Sequence, residues 1–401
     1  MSRLPHPGSD PAPGTDTPGT DRDTEPTSPA TTAPATTTPA TTSARPHVGA
    51  RVEDRVFAVV GAVLRRRGWR PALVPYSGYG SVGTADSAGF ARILARVVLT
   101  PPGAAGADPS AREAGDPRTA GRQRAARGWR RFLAVAVPDA EVTVRLGGRE
   151  HRLVTARGGY LDRTVPAALG PGWHEVPLRL ADGPDAMTRV LMVAPGPRIG
   201  LVSDIDDTVL VTLLPRPLVA AWNTFVLRET ARRPVPGMAD FYADVLARHP
   251  AAPVVYLSTG AWNVAATLTR FLSRNGFPEG PLLLTDWGPT NTGWFRSGQE
   301  HKRSALRRLA QELPGVRWLL VGDDGQHDPA LYAEFAAACP DQVAAVAIRL
   351  LTPAQQVLAG NTQAADKRVR PGSAPTVTAA DGAGLSLALA EGELLGPQDA
   401  R

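Results

Sequence analysis

Four short stretches of this 401-residue chain carry side chains that could do chemistry on an anion. Asp204, Asp206, Asp207 and Thr208 sit within five residues; Ser258 and Thr259 form a second group. Lys302 stands by itself, and Asp323, Asp324 and Asp328 make the fourth group. Taken singly, each has an ordinary explanation. An Asp-rich turn caps a helix, a serine after a strand closes a turn, a lysine is solvated, and Gly322-Asp-Asp-Gly325 is a common turn sequence. Lys302 is set apart by composition: among 44 basic residues the only lysines are Lys302 and Lys367. A compact ammonium suits a tight site between a phosphate and a carboxylate better than a wide guanidinium fork.

The elements around these groups would bring them together. From about residue 196, short apolar runs alternate with helical stretches. The runs are Ile199–Ser203, Pro253–Leu257, Pro281–Leu284, Trp318–Val321 and Val343–Ile348; the helices fall near 237–248, 261–275, 301–313 and 329–338. Buried strands alternating with helices predict an α/β fold with a doubly wound, mainly parallel sheet. Ligands in such sheets bind beyond the carboxyl ends of the strands, where three of the four groups fall, with Lys302 opening the 301–313 helix.

The rest of the chain shows no catalytic cluster. Residues 1–46 are rich in Pro, Thr, Ser and Ala and predict a disordered tail. Residues 52–67 read as a helix with an apolar side (Val56, Phe57, Val59, Val60, Val63, Leu64) and a basic end, Arg65 to Arg67. Two readings stay open for it: packing on its own domain, with the arginines complementing the helix dipole, or lying on an acidic membrane. From about 71 to 195, turn-bounded runs such as Phe90–Leu99, Phe132–Val137, Glu141–Leu146 and His174–Leu180 predict a small β-sandwich. The expected organisation is the tail over 1–46, a helix plus β-rich region over 47–195, the α/β unit over 196–365, and a mostly flexible tail over 366–401.

A net charge of +6 favours anionic partners, but the basic residues are scattered without a recognition motif, which argues against nucleic acid. The single cysteine, Cys339, excludes an internal disulfide. With no apolar signal segment and no uncharged run of about 18 apolar residues, a cytoplasmic protein is the expectation, peripheral at the membrane if residues 52–67 touch lipid.

Asp204-Ile-Asp-Asp-Thr208 resembles the Asp-x-Asp-x-Thr signature of haloacid dehalogenase superfamily phosphatases. Ser258, Lys302 and Gly322-Asp323 with Asp328 resemble that superfamily's remaining motifs, in order. Pro236-Gly-Met238, Asp286-Trp-Gly288, His301-Lys-Arg303 and Gly322 to Pro329 are more specifically similar to the catalytic domain of actin-patch-type phosphatidate phosphatases. The likeness covers roughly 196–350. One departure is Ser258-Thr-Gly-Ala-Trp-Asn263, where the family usually has Ser-Asn-Ser-Pro-Trp; only Ser258 and Trp262 match.

The resemblance implies an aspartyl-phosphate mechanism, with Asp204 the nucleophile and Asp206 the general acid and base. Thr208, Ser258 and Lys302 would hold phosphoryl oxygens. The implied cofactor is Mg2+, which takes about six oxygen ligands, held by Asp204, the Asp206 carbonyl and Asp323. Asp328 would orient Lys302 or a metal-bound water. The implied substrate is phosphatidate or a related lipid phosphate. A sugar, nucleotide or phosphoprotein monoester is the alternative, and a module that binds acidic membranes with little turnover is a third reading. No role follows for Asp207 or Asp324.

Overall fold

Strand period and helix period both leave their mark on what this chain buries. The computed structural model describes residues 59–102, 135–211, 233–285, 296–325, 327–358 and 374–392. The N-terminal tail and residues 52–58 lie outside them. So do most of 101–127, whose Gly, Ala, Pro and Arg content predicts a long loop, and the apolar 213–222 insert with Arg216 and Trp222, which reads equally as a lipid-facing wall or a helix packed on the sheet. Trp287, Trp294 and Phe295, which read as core or as an apolar rim, lie outside them too. A short helix, α1 (59–66), comes first. Its Val59, Val60 and Val63 are exposed, whereas Leu64 packs on the β-rich core. Seven strands follow: β1 (Arg70–Ser81), β2 (Phe90–Thr100), β3 (Glu141–Leu146), β4 (Arg149–Val154), β5 (Tyr160–Pro166), β6 (Gly172–Leu180) and β7 (Ala186–Val193).

In β3 every second residue is buried, Val142, Val144 and Leu146, as a period of two requires of a strand with one face inward. The pairing gives one seven-stranded sheet, ordered β4-β3-β6-β7-β1-β2-β5, where the sequence predicts a sandwich. Alternation marks which face of each strand is buried but not which strands share a sheet. Of the expected Phe132–Val137 strand, only a bridge between Ala136 and Val98 falls among the described residues.

The second sheet is β8 (Arg198–Ser203), β9 (Val254–Ala261), β10 (Leu282–Thr285), β11 (Val316–Asp323), β12 (Val343–Arg349) and β13 (Thr376–Ala379). Every pairing in it is parallel and the order is β10-β9-β8-β11-β12-β13. Numbered from its own first strand that is 3-2-1-4-5-6, the doubly wound order, with the reversal between β8 and β11. All seven residues of β12 are buried, as expected of a strand covered on both faces. Helices α2 (Met238–Arg248), α3 (Ala265–Arg274), α4 (Arg296–Glu312), α5 (Asp328–Ala338), α6 (Pro353–Leu358) and α7 (Gly382–Glu391) accompany it.

Two details differ from the sequence reading. β9 runs on through Ser258 and Thr259, and β11 ends on Asp323, so these groups belong to the strands and do not follow them. β13 emerges from the stretch read as a mostly flexible tail from 366, in which a short helix is expected only at 384–395 and α7 is found at Gly382–Glu391; four residues, Thr376 to Ala379, are too few to show a period. Among the described residues no helix is long and apolar enough to cross a membrane.

The α/β core extends into the first sheet. Tyr79, Leu94 and Val193 of β1, β2 and β7 pack in the same apolar cluster as Leu201, Trp262 and Leu306. Both sheets lie in the compact unit Pro46–Arg401.

Candidate active site

The point where the strand order reverses gathers the acidic groups. The Asp204 N–H donates to the Val321 carbonyl (2.9 Å), joining the end of β8 to the end of β11. Tyr332 of α5 donates its hydroxyl to the same carbonyl (3.0 Å). Asp204, Asp323 and Asp328 are thereby brought within 4.8 Å of one another, oxygen to oxygen, and all three are buried. α4 begins at Arg296, earlier than the expected 301, so Lys302 lies nearly two turns into the helix and not at its head. It reaches into the cluster, its Nζ 2.7 Å from Asp204 Oδ1 and 2.7 Å from Asp328 Oδ1. Gly325 N–H donates to Asp323 Oδ1 (2.7 Å).

Asp206 points elsewhere. Ser258 donates its hydroxyl to Asp206 Oδ2 (3.0 Å) and accepts from the Gly260 N–H (2.9 Å). The end of β9 is thus tied to the turn after β8. Thr208 is fully buried. Asp204, Lys302, Asp323 and Asp328 thus meet at the carboxyl ends of β8 and β11, and the Asp206 side chain turns instead toward Ser258 of β9.

Three carboxylates facing one ammonium leave two negative charges in excess. Burial pushes the Asp204 carboxyl well above the ordinary range; Lys302 opposes the shift, and Asp328, Asp206 and Asp323 add to it. Burial and the Asp328 charge do the same to Asp323. Burial by itself would lower Lys302, but Asp204 and Asp328 outweigh it and raise its pKa. Asp323 Oδ2, Asp328 Oδ2 and Thr208 Oγ1 are buried with no hydrogen-bond partner. Such orphans are rare in folded proteins. Carboxylate oxygens, a local negative excess and unsatisfied acceptors fit a hard divalent cation.

The structure gives Asp207 and Asp324 structural parts. Asp207 adopts the left-handed conformation (φ 59°), with its N–H donating to the Leu210 carbonyl (2.9 Å). Its own carbonyl accepts from Arg349 Nη1 (2.6 Å). Asp324 turns away from the cluster and accepts from the Leu351 N–H (2.7 Å) and Gln356 Nε2 (3.0 Å). Arg349 was not anticipated, though a buried arginine closing an otherwise wholly apolar strand was visible as a signal.

His301, beside Lys302, sits 3.3 Å from the Leu283 carbonyl through Nε2. Burial, with Arg308 and Lys302 nearby, lowers its pKa to about 4, against the pull of the Leu283 carbonyl and Asp162. Between pH 4 and 6.5 the unfolded chain binds a proton there that the folded chain refuses, so stability falls as pH drops through that window. His301→Gln is expected to lose about 2–3 kcal/mol less than the parent between pH 7 and 4. Denaturant unfolding at several pH values checks this; parallel curves for the two proteins would refute it.

Residues 199–350 match the family model described as the catalytic domain of phosphatidate phosphatase APP1. Phosphatidate phosphatase APP1 of Saccharomyces cerevisiae is 27% identical over 154 residues, 38% of this chain and 26% of that protein. An uncharacterised protein of Schizosaccharomyces pombe is 26% identical over 152 residues, 38% of this chain and 25% of that one. The chain thus spans about a quarter of the length of these curated relatives. Among solved structures, the haloacid dehalogenase domain of the Legionella pneumophila effector Lem4 is 16% identical. It covers 39% of this chain and 86% of its own, with a TM-score of 0.26. By the family match, the stretch over 199–350 is similar to the APP1 phosphatidate phosphatase catalytic domains.

Proposed function

We propose that this chain is a Mg2+-dependent phosphomonoester hydrolase that works through an aspartyl-phosphate on Asp204, with phosphatidate or a related lipid phosphate as its substrate. The observation that carries the reading is the Lys302 ammonium bridging Asp204 and Asp328 at the reversal point of a family-matched sheet. Asp204 and Asp323 would hold the ion, with the Asp206 carbonyl; when bound it neutralises phosphate charge and draws the substrate toward Asp204.

An Asp204 oxygen attacks phosphorus, and the phosphorus–oxygen bond to the alcohol breaks. Asp206 gives its proton to the departing alkoxide. It then takes a proton from the water that attacks the acyl phosphate, and inorganic phosphate leaves as the Asp204 carboxylate is restored. Ser258, which already bonds Asp206, and Lys302 steady the phosphoryl oxygens. Asp328 holds Lys302 in place.

A second reading, a soluble phosphomonoester, has its own support. The described wall of the cleft beside Lys302 and Asp328 includes polar Thr259, Gln299, Arg303 and His327, and its cavity is about 70 Å³. The apolar 213–222 insert, which the sequence reads equally as a lipid-facing wall or as a helix packed on the sheet, lies outside the described residues. Release of phosphate from phosphatidate in mixed micelles, dependent on Mg2+ and abolished by chelator, is the expected result. Turnover of soluble monoesters without turnover of phosphatidate would remove the lipid assignment and leave the chemistry standing.

A further inference from the structure

We propose that the seven-stranded sheet is the scaffold that sets the position of Lys302 and of the Ser258 strand, with Arg92, Tyr79 and Tyr76 as positioning residues; the proposal rests on the phosphatase reading above. Its origin is a bulge. In the pairing of β1 with β2, Tyr76 stands opposite Leu94 and Tyr79 opposite Arg92, so β1 spends three residues where β2 spends two. Residues three apart in a regular strand face opposite ways. The extra residue resets the alternation, and both tyrosines reach the α/β half. Gly78 occupies the bulge, and a Cβ there would collide with the Arg92 carbonyl.

Tyr76 lays its ring on Trp262, centroids 4.4 Å apart and planes at 32°. Trp262 follows four residues after Ser258. Tyr79 donates its hydroxyl to Glu312 Oε2 (2.6 Å), and Arg92 donates Nη1 to Glu312 Oε1 (2.6 Å) and forms an ion pair with Asp162 Oδ1 (Nε at 2.6 Å). Arg308 Nη1 completes the network on Asp162 Oδ2 (3.1 Å). Glu312 and Arg308 belong to α4, the helix that carries Lys302.

Two arginines and two carboxylates balance in charge; the Arg92–Glu312 pair is mostly buried, so water screens it little, whereas Asp162 and Arg308 are more than a third exposed and their pair is the weaker one. The apolar side of α4, including Leu306 and Leu309, holds the helix on the core. Apolar contact is non-directional and tolerates sliding. Directional ion pairs fix the helix along its axis. Lys302 must meet two oxygens at once, so a slide of about 1 Å breaks one contact, and displacements of that size can cost up to about 100-fold in rate.

The chain has only two lysines, so lysine side-chain NMR of the labelled full-length protein shows two ammonium signals, assigned with Lys367→Gln. Glu312→Gln is expected to move the Lys302 signal. It should also lower kcat for a soluble aryl phosphate about 10-fold, with KM within about 2-fold. Tyr76→Leu is expected to raise KM instead. Arg189→Gln, which breaks the separate exposed pair of Arg189 with Glu279, should change neither. Should Glu312→Gln not fold, Tyr79→Phe removes one hydrogen bond and should act in the same direction. An unmoved Lys302 signal in a folded variant, or equal losses in Arg189→Gln, overturns the scaffold role. A parent protein without turnover would instead defeat the phosphatase reading, and the lysine signals would still decide the scaffold.

Discussion

Asparagine at position 204 is expected to lower phosphate release by about 10⁴-fold or more while leaving the fold at least as stable. The amide cannot attack phosphorus, and loss of a covalent nucleophile removes the reaction path itself, not one contribution to it. Stability should move the other way. Asp204 shares its burial with Asp323 and Asp328, and the one ammonium pairs with only two of the three, Asp204 and Asp328. The carbonyl of the substituted amide would still accept from Lys302, and one negative charge would leave a crowded site. Without added metal, the thermal midpoint should match or exceed the parent's. Activity and melting measured on the same preparation separate the two effects; full activity in Asp204→Asn would sink the covalent mechanism.

Lys302→Met should harm both properties. The methionine fills much of the same space but leaves Asp204 and Asp328 buried without their shared cation. Breaking a buried pair by removing one partner typically costs about 3–5 kcal/mol. Here the ammonium serves two carboxylates. Adding Asp328→Asn should recover part of the loss, because one orphaned charge goes with it. Activity should fall about 10²–10³-fold, as when one donor to a developing charge is lost. Lys302→Arg is not a rescue, since the planar fork does not fit where a point charge touches two oxygens at 2.7 Å. Denaturant unfolding of the single and double variants is the check. Equal stability of Lys302→Met and the parent would show that the bridge contributes nothing.

Asp204, Ser258 and Asp323 were legible in the sequence because each sits at the end of a largely apolar run, and a doubly wound sheet leaves such ends one place to meet. Asp328 follows from its spacing after Asp323 and the family resemblance, and Lys302 from its rarity, although α4 begins at Arg296 and carries it nearly two turns in. What stayed hidden depends on contacts far apart in the chain. Arg349 reaches the Asp207 carbonyl across 142 positions, and no local pattern encodes that. Asp324 looks like its neighbour Asp323, yet its carboxylate turns to Leu351 and Gln356. The sandwich expectation failed to describe the pairing for a similar reason. Alternation in β3 shows a buried face but is silent on the neighbours of β3, and β13 is too short for any period to show.

The bulge in β1 gives that strand a phase. Length changes are usually absorbed in surface loops, where the chain can be longer or shorter without moving the frame. Between Tyr76 and Tyr79 a single deleted residue would restore strict alternation and turn one tyrosine to the opposite face of the sheet. Either Trp262 would lose its ring partner or Glu312 its hydroxyl. The turn at 147–148, which joins β3 to β4 and whose Gly148 has open space around it, has no such phase to keep. The same one-residue edit is therefore a small change of contour in one place and an inversion of facing in the other.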